Sequence, residues 1–393
     1  MTVYLDNCAT TPLAPEAAAV FSHVAQTCFG NPSSIHGAGR QAAAILAHAR
    51  KILADSIHAQ PREILFTSSG TEANNLALHS AVRHHVRSAP AHVITTATEH
   101  ASITAWLEQE QKSLGDRLQI SWLPVDANGR VRAKDLNDAF RPNTSLVTIL
   151  HCNNETGALQ DLDIIAAAKL AHPSVLFHLD IVQSYTKHPF DVRLLPVDYL
   201  TTCSHKVHGP KGAAFLYARS GVPLEPMLFG GAQEKFRRAG TEDVAAIAAF
   251  AKAVEMASDP ANTRNKLAQL EFRFLEILAE METRFLLNGS SNPTERIPGI
   301  FNLSFEGVTN KEDLLIALDL EKVFVSSTSA CHSGVIKDSH VLQAMGIAEE
   351  RRTGSIRIGM SRYLSESDVE SAARTISKVV AHIAACGSTP SAA

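Results

Sequence analysis

The sequence lacks several features that would point to particular classes of protein. It has no run of about 18 uncharged apolar residues, so a transmembrane span is not expected. The chain opens MTVYLDNCATTP, without a basic or apolar leader, and no secretory signal is predicted. The formal net charge of -4 leaves no basic excess for nucleic acid or anionic lipid. A cytoplasmic protein with no nucleic-acid or membrane partner is therefore predicted.

Patterns of metal-binding and disulfide-forming residues are also missing. The six cysteines lie far apart with no C-x-x-C pair, which argues against a zinc ribbon and a secreted disulfide framework. The 18 histidines show no H-E-x-x-H or comparable spacing, so no metal is predicted. Most of the cysteines are expected to be free, buried thiols.

What is present is an ordinary globular composition with an alternating α/β pattern. The 393 residues, 45% hydrophobic and 19% charged, suffice for one large and one smaller domain. Apolar runs predict buried strands at 63–68, 92–98, 145–151, 175–180, 198–203 and 213–218, with helices at 72–87, 101–114 and 161–171. This alternation predicts a mainly parallel sheet covered on both faces, with ligands bound beyond the carboxyl ends of its strands.

The pattern changes after the Asp-Pro pair at 259–260. An amphipathic helix over about 263–286 leads to short strands at 300–305 and 355–360, with helices near 311–320 and 366–384. We predict a large domain over residues 15–258 and a small α/β domain built from residues 1–14 and 259–386. The small polar tail 387–393 is predicted to be disordered.

The first group of candidate site residues is SSGTEANN, at 68–75. Its glycine and the free amides of a helix N-terminus could bind a phosphate. A plain helix start explains Thr71 and Asn74 equally well. No Gly-Lys-Ser/Thr follows, so this is not a Walker loop.

Two further groups follow consecutive predicted strands. In HLDIVQS (178–184), Asp180 ends a buried strand, where a carboxylate needs a cation or donors, although a structural ion pair would also serve. In TTCSHKVHGPKG (201–212), Lys206 would be nucleophilic if partly desolvated, although most lysines are solvated surface residues. Together the two side chains could lie on opposite sides of one aromatic cofactor.

These motifs, in this order and spacing, resemble the class V aminotransferase group of pyridoxal-phosphate enzymes, and more narrowly cysteine desulfurases and selenocysteine lyases. The similarity covers nearly the whole chain. It includes YLDNCATTPLAPE (4–16), GNPSSIHGAGR (30–40), TEHASI (98–103), HCNNETG (151–157), LFGGAQE (228–234), RRAGTED (237–243), VSSTSACHSG (325–334) and SIRIGMSR (355–362). The resemblance implies the fold-type-I architecture: a large domain with a mainly parallel seven-stranded sheet between helices, and a smaller α/β domain.

The resemblance also implies pyridoxal 5'-phosphate as cofactor and a role for each site residue. Lys206 would bind the cofactor covalently and move the substrate α-proton, while Asp180 would keep the pyridine nitrogen protonated. The remaining contacts would come from His100, stacked on the ring, from Asn154 and Gln183, at the ring hydroxyl or the substrate, and from Arg357, at the substrate carboxylate. The phosphate would be bound by Gly70, Thr71, Cys203 and His205, with Thr241 arriving from the second subunit of a homodimer.

Cys331 is implied as the nucleophile that receives sulfur. It lies in a stretch without strong periodicity, which predicts a mobile loop, as a thiol that serves both a substrate and a distant acceptor requires. His332 or the substrate imine could take its proton, because a thiolate is the reactive form.

Four positions depart from the family pattern. Ile181 stands where alanine is usual and is expected to press on the ring face, while Cys203 replaces a phosphate-binding hydroxyl that Thr202 or Ser204 could supply. Thr328 and Ser361 each replace a common glycine.

The predicted function is a homodimeric cysteine desulfurase that converts L-cysteine to L-alanine and leaves a persulfide on Cys331 for an acceptor protein. A selenocysteine lyase, which forms L-alanine and selenide and depends less on cysteine attack, is the alternative. A second alternative is an inactive cofactor-binding partner or scaffold. The acceptor is not identified by the sequence. An iron–sulfur scaffold, a tRNA-thiolation or cofactor-biosynthesis enzyme, and a DNA-modification partner are all candidates.

Overall fold

The computed structural model describes residues 2–327 and 338–387. Thr328, Cys331 and the tail from residue 388 lie outside the described residues. The helices are α1 (Pro15–Thr27), α2 (Gly37–Asp55), α3 (Gly70–Val86), α4 (Ala101–Leu114), α5 (Ala133–Asp138), α6 (Leu162–Ala171), α7 (Val244–Glu255), α8 (Pro260–Glu280), α9 (Lys311–Leu320), α10 (His340–Ala344), α11 (Glu349–Thr353) and α12 (Glu366–Gly387). The strands are β1 (Val3–Tyr4), β2 (Ile64–Thr67), β3 (Ala91–Thr96), β4 (Leu118–Leu123), β5 (Thr144–Leu150), β6 (Leu176–Asp180), β7 (Tyr199–Cys203), β8 (Ala214–Ala218), β9 (Phe285–Leu287), β10 (Ile300–Phe305), β11 (Val323–Phe324) and β12 (Ser355–Gly359).

Seven strands form the large sheet, in the order β2-β8-β7-β6-β5-β3-β4. Neighbouring strands are parallel except where β8 pairs with β7 and β2. The predicted mainly parallel α/β fold is confirmed. Its inner strands are buried on both faces and therefore appear in the sequence as continuous apolar runs. The edge strand β4 was missed because Gln119 and Trp122 are exposed and break such a run.

A second hydrophobic core lies in the C-terminal part of the chain. It combines α8, α9 and α12 with the antiparallel sheet β12-β10-β9, and it includes Val3 and Leu5 because β1 pairs with β11. The long helix α8 ends at Glu280, earlier than predicted, since Glu282 adopts a φ of 56° and β9 follows. The boundaries drawn at residues 15 and 258 stay a prediction. Among the described residues, no helix is long and apolar enough to cross a membrane.

The loops after β3, β5, β6 and β7 meet at one edge of the large sheet, since these strands are parallel. The loop after β5 makes a tight turn that requires glycine. Gly157 has a φ of 75°, and a Cβ at this position would lie 2.3 Å from the carbonyl oxygen of Ile300. This turn therefore packs directly against the segment that leads into β10, beside the second core.

Candidate active site

Lys206 lies in a short 3₁₀ helix (Ser204–Lys206) that directly follows β7. Its Nζ donates hydrogen bonds to the carbonyl oxygens of Cys8 and Ala9, the latter at 2.7 Å. Burial lowers the pKa of Lys206. No carboxylate accepts a hydrogen bond from this amine within the described part of the chain, so it is well suited to act as a nucleophile and a base.

Asp180 ends β6, directly beside β7, where it pairs with Thr201. Its Oδ2 accepts a hydrogen bond from Asn74 Nδ2 at 2.7 Å, and its Oδ1 accepts one from the backbone N–H of Val182 at 2.9 Å. Burial raises the pKa of Asp180, while His100 and Asn74 act in the opposite direction. A buried carboxylate of this kind is stabilised by a cationic partner.

His100 is linked to Asp180 through a chain of hydrogen bonds. It caps the N-terminus of α4, and its Nδ1 lies 2.8 Å from Ser102 Oγ and 3.1 Å from Ser102 N. Ser102 Oγ in turn accepts from Asn74 Nδ2 at 2.9 Å, the same amide that contacts Asp180. Desolvation lowers the pKa of His100, so a neutral ring is expected at neutral pH. Asn74 and Ser102 were not predicted as site residues, although SSGTEANN and TEHASI contain them.

Helix α3 begins at Gly70, separated from β2 by two residues, and Ser69 Oγ caps it by accepting from the N–H of Glu72 at 3.1 Å. The amides of Gly70 and Thr71 remain to attract an anion. A Cβ on Gly70 would lie 3.3 Å from Val182 Cγ2 and 3.6 Å from Cys203 Cβ. The glycine thus leaves open a space between the helix start and the two strand ends. Burial raises the pKa of Cys203 to about 12, so its side chain remains a thiol. Thr71, the next residue, is exposed.

Two expectations about this space are wrong. Ile181 is fully buried in the large core with Leu200, so it does not press on the ring face; Val182 faces Gly70 instead. Thr202 lies on the opposite face of β7 from Cys203, because successive strand residues alternate. Ser204 Oγ faces Gly209, where a Cβ would lie 2.0 Å from it. Neither hydroxyl therefore replaces Cys203 beside Gly70.

Arg357 lies on β12 and is almost fully buried. Its Nη2 donates to Asp6 Oδ1 and to Ser326 Oγ, both at 2.8 Å, and its Nη1 lies 3.5 Å from the carbonyl oxygen of Asn154. Its buried Nε has no partner among the described residues. A guanidinium with a free donor at the sheet edge is suited to bind a carboxylate.

The N-terminal segment closes one side of the site. Gln183 Nε2 donates to the carbonyl oxygen of Cys8 at 2.9 Å, and His205 Nδ1 lies 3.2 Å from Thr10 Oγ1. Burial lowers the pKa of His205 to about 4, so its ring is neutral at neutral pH. Ser361 stands where the family commonly has glycine, but its φ is not positive. Its Oγ lies 3.1 Å from His208 Nε2.

Thr241 is exposed. Its segment is tied to the start of α3 by an ion pair in which Arg238 Nε donates to Glu72 Oε1 at 2.8 Å. Within the described ranges, Thr241 makes no hydrogen bond to Lys206 or Asp180. Its predicted contact with the cofactor of a second subunit stays a prediction.

The donor and acceptor groups of this site fit pyridoxal phosphate. Asp180 would hold the ring nitrogen, Lys206 would bind the aldehyde carbon, and the start of α3 at Gly70 would bind the phosphate. The space that a Cβ on Gly70 would fill supports this fit. No group of three or more metal-binding side chains occurs in residues 2–327 and 338–387.

Glu99, next to His100, gives a prediction about stability and pH. Its Oε1 accepts from Thr96 Oγ1 at 2.8 Å and from Leu150 N at 3.0 Å, and burial raises its pKa to about 8. The folded state then holds this proton more tightly than the unfolded chain, so stability falls as pH rises from about 4.5 to about 8. We expect the melting temperature to fall by roughly 5 °C more in the parent protein than in Glu99→Gln over this range.

The measurement is thermal unfolding at pH 5 and pH 8. Glu63→Gln is the matched control, because Glu63 is also buried but hydrogen bonds lower its pKa, and it should keep the parent pH dependence. If the melting temperature falls equally in Glu99→Gln and in the parent protein between pH 5 and pH 8, the Glu99 carboxyl does not cause the pH dependence.

Comparison with known proteins gives a consistent picture. The sequence model of the class-V aminotransferase family matches residues 3–371. The chain is 37% identical over 382 residues to cysteine desulfurase IscS of Methanosarcina thermophila, with 96% of this chain and 92% of that protein covered. A solved NifS-like protein has a TM-score of 0.89 and 29% identity, covering 97% of this chain and 100% of that one. SspA in complex with cysteine has a TM-score of 0.81 and 31% identity, covering 93% and 100%.

Proposed function

This chain belongs to the class-V aminotransferase family, and we propose that it is a pyridoxal-phosphate-dependent cysteine desulfurase that converts L-cysteine to L-alanine. The observation that carries this proposal is the placement of Asp180 and Lys206 at the ends of adjacent parallel strands. Relatives named cysteine desulfurase and a related structure with bound cysteine support the choice of substrate.

Each site residue has a task that follows from its surroundings. Bound pyridoxal phosphate supplies an electron-withdrawing ring that acidifies the substrate α-carbon. The Asp180 carboxylate stabilises positive charge on that ring, and the Lys206 amine, whose pKa burial lowers, accepts the α-proton and returns a proton. Arg357 would bind the substrate carboxylate, and its buried Nε, which has no partner among the described residues, is a donor that supports this role.

Cys331 completes the reaction as the sulfur acceptor of the enzyme. Its thiolate attacks the substrate sulfur, so an S–S bond forms while the carbon–sulfur bond breaks, and the carbon gains a proton to become the methyl group of L-alanine. The products are L-alanine and a Cys331 persulfide, and no outside oxidant or reductant is needed. Cys331 lies outside the described residues, and its role rests on the family resemblance.

Release of L-alanine, together with mass spectrometry for one added sulfur on Cys331, tests this function. Cys331→Ala should lower alanine release from L-cysteine by roughly 10³-fold or more. Cys28→Ala is the matched control, since Cys28 is a buried free thiol in a separate cluster near α1. Undiminished turnover in Cys331→Ala would contradict the proposal. The kcat/KM of the parent protein should also be compared for L-cysteine and L-selenocysteine. A higher value for L-cysteine would decide against a selenocysteine lyase, and a higher value for L-selenocysteine would decide for one.

We further propose that the protein acts as a homodimer. Several large apolar side chains are exposed on the segments that adjoin Thr241 and on the neighbouring 29–35 segment: Phe29, Ile35, Leu228, Phe229 and Phe236. Exposed apolar patches of this kind mark interaction surfaces. Light scattering should give twice the chain mass of 42.3 kDa, and a mass of one chain would contradict the proposal.

The acceptor of the persulfide is proposed to be a protein thiol. A persulfide sulfur passes to another thiolate by exchange, so a cysteine-bearing partner is the simplest chemical match. An iron–sulfur scaffold is one such partner, in line with the relative named IscS. Incubating the persulfide form with a candidate scaffold should move the added sulfur to the scaffold, as mass spectrometry would record.

A further inference from the structure

We propose that His100 acts as a neutral hydrogen-bond donor through its Nε2–H, and that Ser102 and Asn74 hold the ring in this form. This inference rests on the proposed function, because it gives His100 a task in the conversion of L-cysteine. Ser102 and Asn74 are positioning residues, since they act through His100 and not on the reacting atoms. The assignment follows from the directions of four hydrogen bonds.

The Nδ1 atom of His100 is an acceptor because of its place at the start of α4. It accepts from the backbone N–H of Ser102 at 3.1 Å, and a backbone N–H can only donate. A proton on Nδ1 would point at this N–H, so Nδ1 carries none. In a neutral imidazole one nitrogen bears the proton and the other accepts, which places the single ring proton of His100 on Nε2.

The hydroxyl of Ser102 also has a fixed direction. Its Oγ accepts from Asn74 Nδ2 at 2.9 Å and lies 2.8 Å from His100 Nδ1. Because Nδ1 bears no proton, the hydroxyl must be the donor in the second of these contacts. Nδ1 therefore accepts two hydrogen bonds, one from the N–H and one from the O–H of the same serine.

The amide of Asn74 is oriented by Asp180. Its Nδ2 donates to Asp180 Oδ2 at 2.7 Å, whereas the reversed amide would set Oδ1 against a carboxylate oxygen, which is also an acceptor. Both N–H bonds of the amide are thus used, one towards Asp180 and one towards Ser102. The charge of Asp180 therefore determines, through two side chains, which nitrogen of His100 bears the proton.

The surroundings of His100 oppose a second proton on the ring. A proton on Nδ1 would meet both donors of Ser102, and the resulting cation would face the positive end of the α4 dipole. Desolvation lowers the pKa of His100; Asp180 acts against this effect, while Lys206 and His340 add to it. These three groups act on the ring from the end of β6, from the segment after β7 and from the start of α10.

The Nε2–H of His100 is available to a bound molecule. His100 is exposed, and within the described part of the chain its hydrogen bonds are made by Nδ1 alone. A neutral imidazole at a helix N-terminus can polarise a substrate group by donating a hydrogen bond without giving up its proton. During turnover His100 therefore keeps its proton, while the α-proton of L-cysteine moves to Lys206.

Nitrogen NMR of the cofactor-loaded protein, isotopically labelled on histidine, reads the tautomer directly. The His100 signals are assigned by their absence in His100→Gln. In the parent protein Nε2 should be protonated and Nδ1 unprotonated between pH 6 and pH 8. Ser102→Ala removes one of the two donors that stabilise the neutral ring, so the titration of His100 should move to higher pH. Ser102→Thr keeps a hydroxyl and should restore the parent titration.

The pH dependence of kcat/KM for L-cysteine is the second readout. Ser102→Ala should leave more of His100 charged at pH 6, whereas the ring is neutral at pH 8 in both proteins. The loss of kcat/KM relative to the parent should therefore be roughly tenfold larger at pH 6 than at pH 8. Asn74→Ala should move the His100 titration in the same direction, and it serves if Ser102→Ala does not fold.

Two controls are built into the chain. Ser80 is a buried serine of α3 whose Oγ accepts from the N–H of Glu225 at 3.0 Å, and Ser80→Ala should keep the parent titration of His100. His36 caps α2 by accepting from the N–H of Gly39 at 3.2 Å, and its signals should not respond to Ser102→Ala.

A proton on Nδ1 of His100 in the parent protein, or a charged His100 ring at pH 7, would overturn the inference. So would a His100 titration that does not change in Ser102→Ala. If the titration moves but the pH dependence of kcat/KM does not, His100 has no task in the reaction as a donor. Failure of the proposed function is distinct, because the parent protein would then release no alanine from L-cysteine, while NMR would still report the tautomer.

Discussion

Asp180→Asn is expected to lower kcat/KM for L-cysteine by roughly 10²–10⁴-fold while the cofactor still binds. Asparagine keeps the size of the side chain and an oxygen that can accept from Val182 N, but it removes the negative charge. Removing one partner of a buried charge pair costs about 3–5 kcal/mol. Each 1.4 kcal/mol changes a rate about tenfold, so the loss should span two orders of magnitude or more.

The measurement combines steady-state kinetics with cofactor content from absorbance. Asp191→Asn is a matched control: Asp191 is also a carboxylate of the large sheet region, but it pairs with Arg193 at the surface. This variant should keep the parent kinetics. A turnover of Asp180→Asn within about tenfold of the parent, at equal cofactor content, would mean that the charge does not drive catalysis.

The site residues that could be predicted from the sequence are those that lie at the end of a strand of the sheet. Asp180 ends one buried strand and Lys206 follows the next, and consecutive parallel strands end at the same edge of a sheet. The local sequence pattern and the parallel topology were therefore enough to predict that these two side chains lie close together. The role of Arg357 came from the resemblance alone, since β12 belongs to a different sheet.

The residues that could not be predicted act through contacts between distant elements. Asn74 lies in α3, and its amide reaches Asp180 across 106 positions of the chain. The side chains of Glu155 and Ser339 are hydrogen-bonded across 184 positions, and neither residue shows a local pattern that indicates a partner. The error at Ile181 has another origin. The chain turns directly after Asp180, and this turn buries Ile181 in the large core while Val182, two positions beyond Asp180, contacts Gly70.

Lys206→Ala is expected to abolish covalent attachment of the cofactor and to lower alanine release by at least about 10⁴-fold. No other described amine occupies the end of β7. Reduction with borohydride followed by mass spectrometry should label Lys206 in the parent protein and leave the variant unlabelled. A small amine added to the variant should restore part of the activity, because it supplies the missing proton acceptor.

The loss in Lys206→Ala could also arise from structure, because Nζ donates to the carbonyl oxygens of Cys8 and Ala9. Leaving buried acceptors without donors costs about 1–3 kcal/mol each, so the N-terminal segment could shift. Lys206→Arg separates the two causes. A guanidinium can donate to both carbonyl oxygens, but it stays charged at any working pH and cannot act as the nucleophile. Restored stability without restored activity would assign the loss to the amine, whereas restored activity would assign it to the N-terminal segment.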